Sequence, residues 1–270
     1  MSDDPSVLEP LFKRLGLNAS AQVFAEMAVQ AEKESWSYGA FLERLLSEEV
    51  ARRAESRIAL LMARAKFPFQ ATIETFGGVV PTPLDFSFRT DLKRNMLGRF
   101  LGPELVSANR SLILEGPPGT GKTHLCIAIA YKAIQNGFAA RFTTAAALIN
   151  DLRGASDFES ALKVYTDPPV LVIDEVGYLG YGPGAADVLF QIVNGRYLKG
   201  KPILFTTNKP LRQWGRVLHD EDLARALIDR TLHHGEHLKL SGASYRLKGR
   251  KVDLDAPLAT EEAGKNGQNA

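Results

Sequence analysis

The densest chemistry in the chain is "GPPGTGKT", residues 116–123, a G-x-x-x-x-G-K-[ST] pattern. Glycines let successive backbone N–H groups curl around a phosphate, and a helix starting there turns its positive end toward the same anion. The residues expected to touch a bound nucleoside triphosphate are Gly116, Pro117, Pro118, Gly119, Thr120, Gly121, Lys122, Thr123 and His124. Lys122 can reach the β- and γ-phosphates, and the Thr123 hydroxyl can serve Mg²⁺. A second group follows fifty residues on. "PVLVIDEVGYL" (169–179) carries two acids where an apolar run ends. Asp174 is expected to hold Mg²⁺ through water, and Glu175 to polarise the attacking water. Paired acids suit hydrolysis better than transfer to a metabolite, because the second can activate water. "KPILFTTNKP" (201–210) ends a further run in Asn208, a neutral amide able to orient water against the γ-phosphate.

These residues need a scaffold that brings distant segments to one edge. "SLILEG", "ARFTT", "VLVIDEV", "PILFTTN" and "EHLKL" are short apolar runs separated by longer helical stretches. Such runs fit strands buried on both faces of a parallel sheet. Five of them with crossover helices make an α/β nucleotide-binding core. Residues 6–66 read instead as helical, with apolar residues at helical spacing (Leu8, Leu11, Phe12, Leu15). "FPFQATIETFGGVVPTPLDF" then breaks the pattern with three prolines and a Gly-Gly pair. The expected organisation is a small all-α N-terminal domain (1–70), an ATPase domain (71–255) and a disordered polar tail (256–270).

Composition bounds the rest. The 270 residues are 45% hydrophobic and 24% charged, as in water-soluble globular proteins, and no apolar run approaches a membrane span. The N-terminal "MSDDPSVLEP" is acidic and does not read as a secretory signal. A single cysteine, Cys126, leaves no internal disulfide and no cysteine-based zinc site. The cytoplasm is the expected location, with no membrane partner.

With these residues assembled, the chain resembles the AAA+ ATPases, in the branch of DnaC-type helicase loaders and IstB-type transposition helpers. "LILEGPPGTGKTHLCIAIA", "RFTTAAALI", "LVIDEVGYL", "LFQIVNGRY", "QWGRVL", "ALIDRTLHH" and "GASYRLKG" resemble IstB blocks in their order, from about residue 110 to 249. "ARAKFPFQATIETF" is similar to that family's link between helical domain and core. The resemblance implies a protein that oligomerises on DNA with ATP and Mg²⁺ and stimulates a separately encoded transposase. It also implies that Arg230, in "LIDRTLHH", reaches a neighbouring copy's nucleotide, a contribution of about 10³ to 10⁵ in rate in related systems. Thr231 stands where the family often has leucine. Arg246, in "SYRLKG", matches a second nucleotide-sensing arginine, yet only 24 residues follow it, too few for the usual helical lid.

Two rival readings stand beside this one. A DnaC-like helicase loader shares the core and would bind a replicative helicase; an adjacent transposase frame separates the two. A metabolite kinase shares only the phosphate loop, and the Asp-Glu pair with Asn208 and Arg230 argues against it. His233, His234 and His237 invite a metal reading, but a helix-to-strand break at Gly235 would spoil convergence and no cysteine is near. They read as solvated or helix-ending residues. Basic clusters at 50–66, 88–99 and 239–251 are the expected DNA contacts, chiefly Arg52, Arg53, Arg57, Arg64, Lys66, Lys93 and Arg94. Arg53, Arg57 and Arg64 share one side of a helix, with Leu60 among them. No base-reading motif accompanies them, so phosphate contacts on duplex DNA with little sequence preference are expected. Cys126, Trp36 and Trp214 read as packing residues.

Overall fold

The computed structural model describes residues 8–72, 82–83, 94–178 and 180–242. Three helices come first: α1 (Glu9–Leu15), α2 (Asn18–Lys33) and α3 (Tyr38–Ala65). Ser37 caps α3, its hydroxyl accepting from the Ala40 N–H at 3.2 Å. A ring contact runs from Phe12 through Phe24 to Phe41, with centroids 5.4 and 5.8 Å apart, and stitches the three together. The buried Glu49 of α3 does the rest. Its carboxylate accepts the Ser20 N–H in the first turn of α2 at 2.8 Å and Arg53 Nε at 2.8 Å. A carboxylate is stabilised there by uncapped N–H groups and the positive end of the helix. The Ser20 N–H, then Arg53, hold the Glu49 pKa below the usual carboxylate range.

α3 then crosses onto the core. Ile58, Leu61, Met62 and Ala65 pack against the cluster that contains the helix after the phosphate loop. The expected boundary at residue 70 follows this crossing. Beyond it, β1 (Ala71–Thr72) pairs in parallel with β2 (Thr82–Pro83), and α4 (Arg94–Leu101) and α5 (Glu104–Ser107) lead into the sheet.

The core runs β3 (Leu112–Glu115), α6 (Lys122–Gln135), β4 (Ala140–Thr144), α7 (Ala145–Arg153), α8 (Phe158–Thr166), β5 (Val170–Val176), α9 (Ala185–Leu198), β6 (Ile203–Thr207), α10 (Trp214–Leu218), α11 (Glu221–His233) and β7 (Glu236–Lys239). The five expected apolar runs are the five strands of one parallel sheet, in the order β4-β5-β6-β3-β7. Successive side chains alternate faces. Leu112, Leu114, Val170, Val172 and Leu204 join the layer with α6, while Ile113, Leu171, Ile173, Ile203 and Phe205 join the layer with α7, α9 and α11. Burial on both faces is why these strands read as unbroken apolar runs.

At the strand starts, the fully buried Arg196 of α9 fixes register. Its guanidinium donates to the carbonyls of Tyr165, Pro168, Pro169 and Pro202 at 2.7–3.0 Å, tying together the entries to β5 and β6. Those two strands carry Asp174 and Thr207 at their other ends. Because β6 lies between β3 and β5, the phosphate loop, the β6 tip and the acids emerge side by side at the C-terminal edge. Ligands of open parallel sheets bind at that edge.

Candidate active site

The loop from β3 to α6 turns through Gly119 and Gly121, at φ +76° and +86°, a region that other residues enter only with strain. Gly121 is the N-cap of α6 and offers no capping side chain. The first N–H groups of α6 are therefore open to an anion. Thr120 Oγ1 closes the loop on the Pro117 carbonyl at 2.7 Å. Lys122 folds its ammonium onto the carbonyls of Gly116 and Pro117, at 2.7 and 2.8 Å. A methyl on Gly116 would collide with the Leu240 carbonyl just past β7, so glycine is required there. His124 lies against Phe69, ring centroids 6.0 Å apart, which brings the segment after α3 beside the loop.

At the tip of β5, Asp174 is buried and accepts the Thr123 hydroxyl, at 2.9 Å to Oδ1 and 3.0 Å to Oδ2. The Thr206 hydroxyl donates to Asp174 Oδ1 as well. Pairing of β5 with β6 is irregular between Ile173 and Val176. At this break Glu175 takes a left-handed conformation, φ +60°, which costs a non-glycine residue about 1–2 kcal/mol. The break turns the Glu175 side chain out to solvent while Asp174 stays in. The Glu175 N–H donates to Thr206 Oγ1 at 3.0 Å, and its carbonyl accepts the Tyr181 hydroxyl at 3.1 Å. Asn208 follows β6, and its side-chain oxygen is shielded without a hydrogen-bond partner among the described residues. A polar atom of that kind beside a phosphate loop is suited to a bound group.

A family model described as IstB-like ATP binding protein matches residues 11–252. The chain belongs to the IstB-like ATP-binding proteins. The protein named as the ATP-binding protein of insertion sequence IS5376, from Geobacillus stearothermophilus, is 37% identical over 242 residues, covering 88% of this chain and 93% of the relative. Its counterpart in insertion sequence IS21 of Pseudomonas aeruginosa is 33% identical over 270 residues, covering 97% and 98%. AMPPCP-bound DnaA from Aquifex aeolicus shares the AAA+ fold at 20% identity with a TM-score of 0.52, over 68% of this chain and 54% of DnaA. This IstB-like protein is an ATP-binding protein with the AAA+ fold.

Not all of its expected site residues converge. Arg230 lies in the last turn of α11 with its guanidinium 4.3 Å from the Phe190 ring centroid, and its Nη1 is shielded without a hydrogen-bond partner among the described residues. Among the described residues, no hydrogen bond or ion pair joins Arg230 to residues 116–124, Asp174 or Glu175. Arg246 and Lys93 lie outside the described residues, as does the tail; Arg94 opens α4. Among the described residues the three histidines form no metal-holding group: the His233 and His234 rings lie 4.2 Å apart and His233 Nδ1 meets the Tyr197 hydroxyl at 2.9 Å, whereas His237 Nε2 lies 3.0 Å from Glu115 Oε2. Several α3 cations are engaged within the chain. Arg53 binds Glu49 and the Gly16 carbonyl, Arg57 donates to the Gly137 carbonyl at 3.3 Å, and Arg52 pairs with Glu48 at 3.4 Å. Arg64 and Lys66 are exposed. Among the described residues, no helix is long and apolar enough to cross a membrane.

Sequence reasoning missed Thr206 and Tyr181. The signal for Thr206 was present, since "FTTN" turns from apolar to hydroxyl side chains within a buried strand. Nothing marked Tyr181 among the glycines of "GYLGYGPG".

Proposed function

We propose that this IstB-like protein hydrolyses ATP between neighbouring copies assembled on duplex DNA, and that the assembly stimulates the transposase of a mobile element in the cytoplasm. The relatives' names, which tie ATP-binding proteins to insertion sequences, support the transposition context. In this reading the loop amides and Lys122 hold the β- and γ-phosphates, Lys122 leaving its loop carbonyls for them. Thr123 and Asp174 hold Mg²⁺; one carboxylate and one hydroxyl, with ATP phosphates, form a typical donor set for that ion. When bound, the ion neutralises charge on the phosphates. Glu175 draws a proton from the attacking water, and Asn208 orients that water. Arg246 supplies a second cation to the nucleotide. Residues 1–70 serve DNA, partner binding and assembly, with the exposed Arg64 and Lys66 at the end of α3 as phosphate contacts.

One observation carries the intersubunit reading. Among the described residues, Arg230 Nη1 is shielded without a hydrogen-bond partner, and no hydrogen bond or ion pair joins the guanidinium to its own nucleotide loop, which suits a group whose anion is supplied by another copy. The experiment is complementation. Lys122→Ala and Arg230→Ala are each expected to be inactive alone, and their mixture to recover part of the turnover, because each copy supplies what the other lacks. A mixture no more active than its components overturns shared sites.

A further inference from the structure

We infer that Thr206 and Tyr181 are positioning residues that clamp the backbone of Glu175 at both ends, and that Thr206 couples this clamp to the metal-binding carboxylate. The inference rests on the reading of Asp174 and Glu175 given above.

Glu175 must point outward from a strand whose neighbours point inward, and it does so in a left-handed conformation that its side chain does not favour. Something has to hold that peptide in place. Its N–H is taken by Thr206 Oγ1 at 3.0 Å and its carbonyl by the Tyr181 hydroxyl at 3.1 Å. Tyr181 is itself fixed, accepting from the Gly177 N–H at 3.2 Å. Burial pushes the Tyr181 phenol pKa up, so the hydroxyl keeps the proton it donates.

Thr206 does two things at once. A hydroxyl has one proton to give and lone pairs to receive with. Thr206 gives its proton to Asp174 Oδ1 and receives that of the Glu175 N–H. The side chain is 1% exposed, so water cannot replace either bond without repacking. Thr123 also donates to Asp174, but its hydroxyl is the one that turns to Mg²⁺. Thr206 is then the hydroxyl that keeps Asp174 Oδ1 fixed. Metal ligand and water-activating group are thus spaced by a single threonine on the neighbouring strand. Tyr181 touches only the Glu175 end, so the two residues differ in what their loss should do.

The test uses the full chain with duplex DNA and measures turnover against ATP and, separately, against Mg²⁺. Thr206→Val keeps shape and loses the hydroxyl. It should lower kcat by on the order of tenfold, the equivalent of one hydrogen bond, raise the Mg²⁺ needed for half-maximal rate severalfold, and leave the KM for ATP within about twofold. Thr206→Ser should restore both values. Tyr181→Phe should lower kcat with the Mg²⁺ requirement unchanged. The double variant Thr206→Val/Tyr181→Phe should lose less than the product of the single losses, since both hold the backbone of one residue. Normal kcat in Thr206→Val, or a loss that leaves the Mg²⁺ requirement unmoved and is not rescued by serine, overturns the coupling. A lowered melting temperature with an unchanged Mg²⁺ requirement does the same by making Thr206 merely structural. Glu175→Gln separates the two levels. If it turns over normally, the base assignment falls and the clamp with it; if it is inactive while Thr206→Val is normal, only the clamp falls.

Discussion

Arg196→Ala should destabilise the protein more than any change at the nucleotide loop. The guanidinium is fully buried and makes four hydrogen bonds to carbonyls, at 2.8, 2.9, 3.0 and 2.7 Å. Burial pushes its pKa down to about 9, so it remains a cation at neutral pH. At about 1 kcal/mol for each hydrogen bond, alanine forfeits about 4 kcal/mol before any cost of the cavity. Domains are stable by only about 5–15 kcal/mol, so this is a large fraction. At about 2–4 °C per kcal/mol for a chain near this size, the melting temperature should fall by about 8–16 °C. Lysine offers three donors but no planar fork, and should lose about half as much. Differential scanning calorimetry of the two variants with the parent protein reads this directly. A fall of less than about 3 °C for alanine would mean that solvent or relaxation satisfies the carbonyls, and would refute the claim that Arg196 holds the strand entries.

Further expectations concern separate parts of the molecule. Lys122→Ala should lose at least tenfold in ATP affinity by fluorescent-nucleotide titration, the equivalent of about 1.4 kcal/mol; unchanged affinity removes the phosphate-loop assignment. Glu175→Gln should bind ATP as the parent does while its phosphate release falls by about a hundredfold or more. Because the folded pKa of Glu49 lies below its unfolded value, its contribution is present above about pH 4.3 and disappears as pH falls through the folded pKa. Hydrogen-exchange protection in residues 8–66, taken relative to the intrinsic rate at each pH, should therefore fall on acidification in the parent, and Glu49→Gln should be less protected already at neutral pH without that acid step. Arg64→Ala and Lys66→Ala should each weaken DNA binding and reduce its salt slope by about one, read by anisotropy with labelled duplex. Equal slopes before and after the substitutions would place the phosphate contacts elsewhere.

The fold was legible because its signals are local. Five short apolar runs, each doubly buried, became five parallel strands, and the glycine spacing of 116–123 marks a turn that only a phosphate loop needs. Long-range partners were not legible. The arginine stripe of α3 read as one basic face, but Arg53 and Arg57 meet Glu49 and the carbonyls of Gly16 and Gly137, and helical periodicity says nothing about what lies opposite. Arg196 sits in the helical "LFQIVNGRYL" like any surface cation, and its four acceptors come from two separate segments, 165–169 and Pro202. Thr206 gave a partial sign, a hydroxyl in an apolar strand, but its bonds to Asp174 and Glu175 depend on the broken register between β5 and β6. Irregular pairing of this kind has no pattern in a single sequence.

The proposed mechanism depends on ATP-driven assembly on DNA. Particle size on duplex DNA, measured by light scattering or electron microscopy with ATP, with ADP and without nucleotide, tests it most directly. Large particles are expected with ATP alone, and their loss in Lys122→Ala. Monomers in all three states, or particles of equal size whatever the nucleotide, would contradict it.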